Sequence, residues 1–422
     1  IYIMTIPAIT LINTKAVIDG TGSRPMENVT VGLEGDIIKN IQPRGQISLP
    51  SGCNPRILDF PNGYLLPGLI DVHTHLMFGG WSKHYEEVIT GDSDQISLLR
   101  ASKNALTHLK CGVTTLRDNG SRNRVTFDLR EGALRGYATT PRLFLCGRPV
   151  TLTGGHFHWC NQEADGITGV RRAVRQLVKD GADHIKIMAA GGGTTITDNR
   201  RPSYTIEELR AIVDETHNMG KLTTAHCLAT QSLTNALEAG VDMIEHAGFI
   251  EPDGSYKFYP AIGERIAKQG VFISPTVQTG YRDREVLLVK ELERTLTKSE
   301  NRKLEALKAK CESQLEFLGL MWNKSGVQVV AGTDAIQMFG DYCLGLELMS
   351  EAGMSNMDII KASTSIAAES MDITAITGSI KPGKQADLIV VDQNPLLDIK
   401  ALRKMSMVML GGQQVVSDGN IV

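Results

Sequence analysis

Residues 65–75, with the sequence LLPGLIDVHTH, place two histidines two positions apart at the end of an apolar run. Side chains two apart in a strand point to the same face of the sheet, so His73 and His75 should reach one point. Neutral imidazole is a common ligand of divalent transition metals. The stretch therefore predicts a buried strand that ends in a metal site, and the alternative is a pair of core histidines with satisfied hydrogen bonds.

Four later segments repeat this arrangement of an apolar, strand-like run that carries a ligand-type side chain. The segments are His184–Met188, Leu222–His226, Met243–His246 and Val329–Asp334. The candidate ligands that they supply are Lys186, His226, His246 and Asp334. Each has a structural alternative, namely packing for the histidines, an ion pair for the lysine and a helix cap for the aspartate. Five such placements in chain order are hard to explain by core packing alone.

Strand-like and helix-like segments alternate over residues 68–378. Strands are predicted at Leu69–His75, Val113–Asp118, Arg142–Cys146, His184–Met188, Leu222–His226, Met243–His246, Val271–Thr276 and Val327–Thr333. Predicted helices include Ser97–Lys110, Val170–Asp180, Ile206–Met219, Gln231–Ala239 and Ile262–Lys268. The connections from helix to strand contain glycine, as such loops prefer. Eight units predict a (β/α)8 barrel, whose catalytic face lies at the carboxyl ends of the strands.

The two ends of the chain contain strand-like runs without helices between them. Short strands and turns precede residue 67, and strand-like runs return at Asp387–Asp392 and Met405–Leu410. The predicted organisation is a barrel over residues 68–378, flanked by one small β-sandwich domain that residues 1–67 and 379–422 form together. The charged stretch Arg282–Trp322 is expected to form outer helices before the eighth strand.

The bulk composition argues against several classes of function. A net charge of −3 gives no basic footprint for nucleic acid or for an anionic membrane. No apolar run approaches the roughly 18 residues of a membrane span. Seven scattered cysteines without a CxxC pair predict reduced thiols in a cytoplasmic protein. Residues 1–4 lack the pattern of a signal peptide, and Met4 is a candidate natural start.

Three motifs together resemble the amidohydrolase superfamily of metal-dependent hydrolases. They are LPGLIDVHTH at 66–75, AGTD at 331–334 and GSIKPGKQADL at 378–388. Within the superfamily, the chain is most similar to the branch of Xaa-Pro dipeptidases, carboxypeptidase-like enzymes and ochratoxin amidases. The segments that suggest this branch are GGH at 154–156, IKIMAAGG at 185–192 and YTIEEL at 204–209.

The resemblance implies a binuclear centre with two divalent ions, for which zinc is the expected metal. The ligands would be His73, His75, Lys186, His226, His246 and Asp334. In such enzymes the lysine carries a CO2-derived carbamate, which two metal ions can share. A plain ammonium facing two dications would be strongly unfavourable. Asp334 would also carry a proton from the metal-bridging hydroxide that attacks the carbonyl to the leaving nitrogen.

The implied activity is hydrolysis of amide or peptide C–N bonds in small molecules, such as Xaa-Pro dipeptides or N-acyl amino acids. His156 and Tyr204 are candidates to bind the substrate carboxylate, and the alternative is that they belong to ordinary loops. The glycines at 191–193 lack a nucleotide-binding pattern. A cyclic-amide hydrolase like imidazolonepropionase, a deaminase and a non-catalytic scaffold are the alternatives. Deaminases of the superfamily usually have a glutamate shortly after this histidine, and the four residues after His226, CLAT at 227–230, include no acid, which disfavours a deaminase. Self-association into a homo-oligomer is left open.

Overall fold

The computed structural model describes residues 9–79, 85–336 and 338–422. The predictions about the chain start and the missing signal peptide concern residues 1–4, which lie outside the described residues. Within the described part, helices and parallel strands alternate through the middle of the chain, and strands dominate both ends.

The strands have the following bounds. They are β1 (Ile9–Val17), β2 (Met26–Glu34), β3 (Ile37–Pro43), β4 (Arg56–Pro67), β5 (Leu69–Thr74), β6 (Val113–Asp118), β7 (Arg142–Leu145), β8 (His184–Met188), β9 (Leu222–Ala229), β10 (Met243–Ile250), β11 (Phe272–Ser274), β12 (Leu388–Val391), β13 (Met407–Leu410), β14 (Gln413–Ser417) and β15 (Asn420–Ile421).

The α-helices have the following bounds. They are α1 (Tyr85–Gly91), α2 (Asp94–Lys110), α3 (Val125–Leu134), α4 (Gly166–Asp180), α5 (Ile206–Asn218), α6 (Thr230–Ala239), α7 (Pro260–Gln269), α8 (Tyr281–Leu292), α9 (Lys298–Leu320), α10 (Tyr342–Glu351), α11 (Asn356–Ala362) and α12 (Ser365–Ser370). No helix in the described part of the chain is long and apolar enough to cross a membrane.

Strands from both ends of the chain form one eight-stranded sheet in the order β15-β14-β13-β12-β4-β1-β2-β3. β1 pairs parallel with β4, and antiparallel pairing links β12 to β4 and to β13. Burial alternates along β1, as expected for a sheet with one covered face. Ile12, Val31, Leu65 and Val390 belong to a core cluster of this sheet. The ends of the chain are therefore joined by strand pairing.

The middle of the chain contains two parallel sheets, β5-β6-β7 and β11-β10-β9-β8. Every residue of β5, β6 and β8 is buried, which is typical of parallel strands with both faces covered. Single parallel bridges lie between the two sheets and beyond their outer strands. They join Val150 to Ile187, Ile273 to Val329 and Thr74 to Ala335.

The predicted eighth strand over residues 327–333 does not form, and this prediction was wrong at the level of secondary structure. The segment makes only an isolated bridge, at Val329. Its backbone bonds go to different neighbours: Val330 N donates to Ile273 O at 2.9 Å and Ala331 N donates to Ala362 O at 3.0 Å. On its other side, Val72 N donates to Ala331 O at 3.1 Å. The segment thus lies between β11 and β5, but it makes no two consecutive bridges to either strand, so no continuous ladder develops.

The other parallel strands lie where the sequence predicts them. β6 and β8 have the predicted bounds, and β10 continues four residues beyond its predicted end to Ile250. The charged stretch from Arg282 to Trp322 forms most of α8 and all of α9, which pack against each other as a hairpin. In the sequence, this hairpin precedes the segment that carries Asp334.

Candidate metal centre

His73 and His75 lie at the end of β5 and point to the same place. Their Nε2 atoms are 3.3 Å apart, and both residues are buried. The other ring nitrogen of each is held by a fixed acceptor: His73 Nδ1 donates to Glu245 Oε2 at 2.7 Å, and His75 Nδ1 donates to Gly120 O at 3.2 Å. These bonds leave both Nε2 atoms with lone pairs directed at one point, as metal ligation requires.

Asp334 meets the two histidines from the segment that follows the bridge at Val329. Its Oδ1 lies 3.4 Å from His73 Nε2 and 3.3 Å from His75 Nε2. Its backbone N donates to His73 O at 2.7 Å, and its φ of 51° is left-handed. Burial raises the pKa of Asp334, but the surrounding imidazoles, His73 first, hold it well below its usual range. The Asp334 side chain is therefore held in its anionic form at the cluster.

Lys186 is fully buried in the middle of β8. Its Nζ lies 3.4 Å from His73 Nε2. Because side chains alternate along a strand, its neighbours Ile185 and Ile187 point to the opposite face, where they join the main hydrophobic core. Burial lowers the pKa of Lys186, and the negative charges of Glu245 and Asp334 oppose that shift. The structure therefore brings this lysine to the ligand cluster, as predicted.

His226 and His246 complete the cluster from β9 and β10. Their ring centroids are 4.6 Å apart, and the His246 ring is 5.2 Å from that of His73. His226 Nε2 donates to Gly191 O at 3.1 Å, and His246 Nδ1 hydrogen-bonds with Thr276 Oγ1 at 2.7 Å. One ring nitrogen of each imidazole thus remains available. Burial lowers the pKa of both side chains, which favours the neutral, metal-binding form.

Glu245 is a functional residue to which the sequence analysis gave no role. It is fully buried, and it accepts hydrogen bonds from four side chains. The donors and distances are His73 Nδ1 at 2.7 Å, Arg117 at 2.9 Å, Asn119 at 3.0 Å and Thr224 Oγ1 at 2.6 Å. Consecutive residues of a regular strand face opposite sides, so Glu245 and His246 could not both point inward. The positive φ of 71° at His246 breaks this alternation.

Asp71 is a second supporting carboxylate that the sequence analysis did not identify. Its Oδ1 accepts from the backbone N atoms of His73 at 3.1 Å and Thr333 at 3.0 Å, and its Oδ2 accepts from Thr333 Oγ1 at 2.7 Å. Asp71 therefore ties β5 to the segment that ends in Asp334. The signal in the sequence was its position two residues before His73, on the same face of the strand.

His156 and Tyr204, the predicted carboxylate ligands, have different environments. His156 is buried, its ring centroid is 4.7 Å from that of His226, and its Nδ1 hydrogen-bonds with Thr194 Oγ1 at 2.8 Å. Tyr204 is also buried, but its hydroxyl donates to Ala164 O at 2.9 Å. The hydroxyl proton of Tyr204 is therefore already used. Of the two residues, His156 is the one whose polar side-chain atom remains available beside the cluster.

The donor set fits a pair of divalent ions. One ligand atom from each of His73, His75 and Asp334 lies within 4.8 Å of the others. The remaining imidazoles and Lys186 adjoin this group. Histidine nitrogen and carboxylate oxygen together are ligands of zinc and related transition metals. The ring nitrogens without a partner and the Asp334 carboxylate offer lone pairs at one place, which bound metal ions would use.

The model of the amidohydrolase family matches residues 64–415. The chain belongs to the amidohydrolase family. It is 29% identical to the ochratoxinase of Aspergillus niger over 372 residues, which are 81% of this chain and 72% of that protein. A solved Xaa-Pro dipeptidase with methionine bound in its active site superposes with a TM-score of 0.84 at 28% identity, covering 96% of this chain and 99% of its own.

The crystal structure of the Aspergillus niger ochratoxinase shares the fold, with a TM-score of 0.81 over 97% of this chain and 96% of that one, at 24% identity. Membership of the family and these relatives make this amidohydrolase an enzyme that hydrolyses C–N bonds. The branch that the sequence motifs suggested is confirmed.

Proposed function

We propose that this amidohydrolase is a binuclear metal enzyme that cleaves amide or peptide bonds in small substrates, such as Xaa-Pro dipeptides or N-acyl amino acids. The observation that carries the proposal is Lys186. Its amine is fully buried and lies 3.4 Å from His73 Nε2, within a cluster of imidazoles. An ammonium at this place would repel bound cations, whereas a carbamate formed with CO2 would be an anionic ligand.

The proposed ligands are the predicted ones: His73, His75, Lys186 as carbamate, His226, His246 and Asp334. Zinc is the proposed metal, because imidazole and carboxylate oxygen suit it. When bound, divalent ions supply Lewis acidity, which acidifies a water and polarises a carbonyl. In the alternative with one metal ion, Lys186 would remain a buried ammonium that does not act as a ligand.

Asp334 is the proposed proton carrier. Its side chain is 9% exposed, so a proton that it accepts stays within the site and is available to the leaving nitrogen. The backbone bond from Asp334 N to His73 O fixes its distance from β5. Asp334 would take the proton of the attacking water and deliver it to the nitrogen as the C–N bond breaks.

The two parallel sheets are proposed to be arcs of one (β/α)8 barrel. The three parallel bridges that lie between and beyond the sheets support this arrangement. The proposed barrel spans residues 68–378, and residues 1–67 and 379–422 form the small β domain beside it. His73 and His75 lie at the carboxyl end of β5, the end at which barrels of this type carry their active sites. Lys186, His226 and His246 meet them from the middle of β8, β9 and β10.

The substrate carboxylate is proposed to bind at His156. Its position against His226, with Nδ1 engaged by Thr194, supports this role. Tyr204 would contribute packing, since its hydroxyl already donates to Ala164 O. The names of the relatives agree with substrates of this kind, since one is an Xaa-Pro dipeptidase and another an ochratoxinase.

Paired substrates with a free or an amidated C-terminal carboxylate test this function. A charge-assisted hydrogen bond contributes roughly 1.5–3 kcal/mol, so amidation should lower kcat/KM by about 10-fold or more. His156→Ala should lose most of this preference and keep its metal. The matched control is His217→Ala on the surface, where the imidazole pairs with Asp242. Equal rates for the acid and the amide would contradict the carboxylate site, and hydrolysis of cyclic amides alone would favour the imidazolonepropionase-like alternative.

A further inference from the structure

A cavity of about 260 Å³ opens beside Asp334, between the end of the site and the α8–α9 hairpin. This volume is close to the lower end of the roughly 300–1,000 Å³ of small-molecule pockets. Asp334 and Ile336 border it on one side, and Gly280, Leu307 and Lys310 border it on the other. His156 and Tyr204 are not among its lining residues. The cavity therefore adjoins the ligand cluster at Asp334, and the residues proposed to hold the substrate carboxylate do not line it.

The charged residues around this cavity are paired with protein groups, with one exception. Arg282 donates to Asp341 at 2.8 Å, and Asp283 accepts from Lys303 Nζ at 3.0 Å. Asp334 belongs to the metal cluster. Within the parts of the chain that the structure describes, Lys310 makes no hydrogen bond and no ion pair. One positive charge in the cavity is thus left without a partner.

Lys310 lines the cavity from α9. The side chain is half-buried in α9, and a Cβ built on Gly280 would lie 3.6 Å from its Nζ. Burial lowers the pKa of Lys310, and the negative charge of Asp334 opposes that shift, so the ammonium lies within electrostatic reach of the site. Placing an ammonium in a partly buried position without an anion nearby costs free energy. A bound anion would offset this cost.

Two other features of the same wall suit an anionic guest. α8 begins directly after Gly280, so the positive end of its helix dipole borders the cavity. Leu307 and Ile336 supply apolar surface for an aliphatic stem. A short methylene chain that ends in a carboxylate matches this lining.

We propose that Lys310 is a specificity-determining residue that binds an acidic side chain of the substrate, of the glutamate or aspartate kind. The inference rests on the proposed function, in which the C-terminal carboxylate is held elsewhere, at His156. The enzyme would then favour substrates with two anionic groups. Lys310 does not touch the reacting bond, so its contribution should appear as selectivity between substrates.

Dipeptides that differ only by Glu against Gln, at either position, test this role in the zinc-loaded enzyme. We expect the parent enzyme to prefer the Glu member of a pair by about 10-fold or more in kcat/KM, the scale of one charge-assisted hydrogen bond. Lys310→Met should abolish the preference, and Lys310→Arg should retain most of it. Lys308→Met is the matched control, because Lys308 lies two residues away on α9 and pairs with Glu291 and Glu305.

The outcomes separate this inference from the proposed function. If the parent enzyme hydrolyses none of the dipeptides, the proposed function fails. If it hydrolyses them without a Glu preference, or if Lys310→Met keeps the preference, the role of Lys310 is overturned. If Lys310→Met changes only the ratio between free and amidated C-termini, Lys310 holds the C-terminal carboxylate and the acidic-side-chain proposal is wrong. Metal content and melting temperature of each variant establish that it is folded.

Discussion

The buried strands of the ligand cluster and the α8–α9 hairpin supply different parts of the proposed site, and their sequences predict these parts to very different degrees. β5 and β8 are buried on both faces, so a histidine or lysine within them must face the interior. α9 is mostly exposed, and Lys310 is one of several lysines along it. Only its place in the lining of the cavity beside Asp334 distinguishes Lys310 from Lys308. Ligands on buried strands are thus predictable from sequence, whereas a selective residue on a surface helix requires the fold.

This comparison predicts that variants of the two regions change different properties of the enzyme. Variants at the strand ends should lower kcat or metal affinity for every substrate. Variants of the hairpin should change the ratio between substrates, as proposed for Lys310. A hairpin variant that lost metal, or a strand-end variant that altered only selectivity, would break the comparison.

The largest effect is expected for Asp334→Asn. Asparagine keeps an oxygen at the position of Oδ1 but cannot carry the proton to the leaving nitrogen. We expect kcat to fall about 10²-fold or more, the usual scale of general acid–base catalysis. Steady-state kinetics on an N-acyl amino acid, with metal content measured on the same sample, check this. Near-normal turnover with metal bound would exclude Asp334 as the proton carrier.

A smaller effect is expected for Glu245→Gln, which removes the charge that orients His73. Loss of such a supporting carboxylate typically weakens metal binding by about 10–100-fold. Competition with a chromogenic chelator measures this affinity. Glu215→Gln is the control, because Glu215 on α5 pairs with Arg171 and Arg175 and has no contact with the ligands. Equal metal affinities of the two variants would contradict the role of Glu245.

The same physical distinction explains which parts of the fold and the site the sequence could supply. His73, His75 and Lys186 could be predicted because strand periodicity places them on an inward face. Glu245 was overlooked because regular alternation would have sent it away from His246, and only the left-handed backbone at His246 reverses this. The eighth strand was predicted from its apolar run, but its backbone finds partners on separate elements. Such distant pairings leave no periodic signal in the chain.

The most direct test of the account is the number of metal ions bound per chain. Elemental analysis of protein loaded with zinc and bicarbonate should approach about two ions per chain in a centre of this kind. Lys186→Ala should bind at most about one and lose its activity, while Lys268→Ala on the exposed face of α7 should match the parent protein. A stable value near one in a fully active parent enzyme, unchanged by Lys186→Ala, would contradict the bridging role of Lys186 and with it the binuclear mechanism.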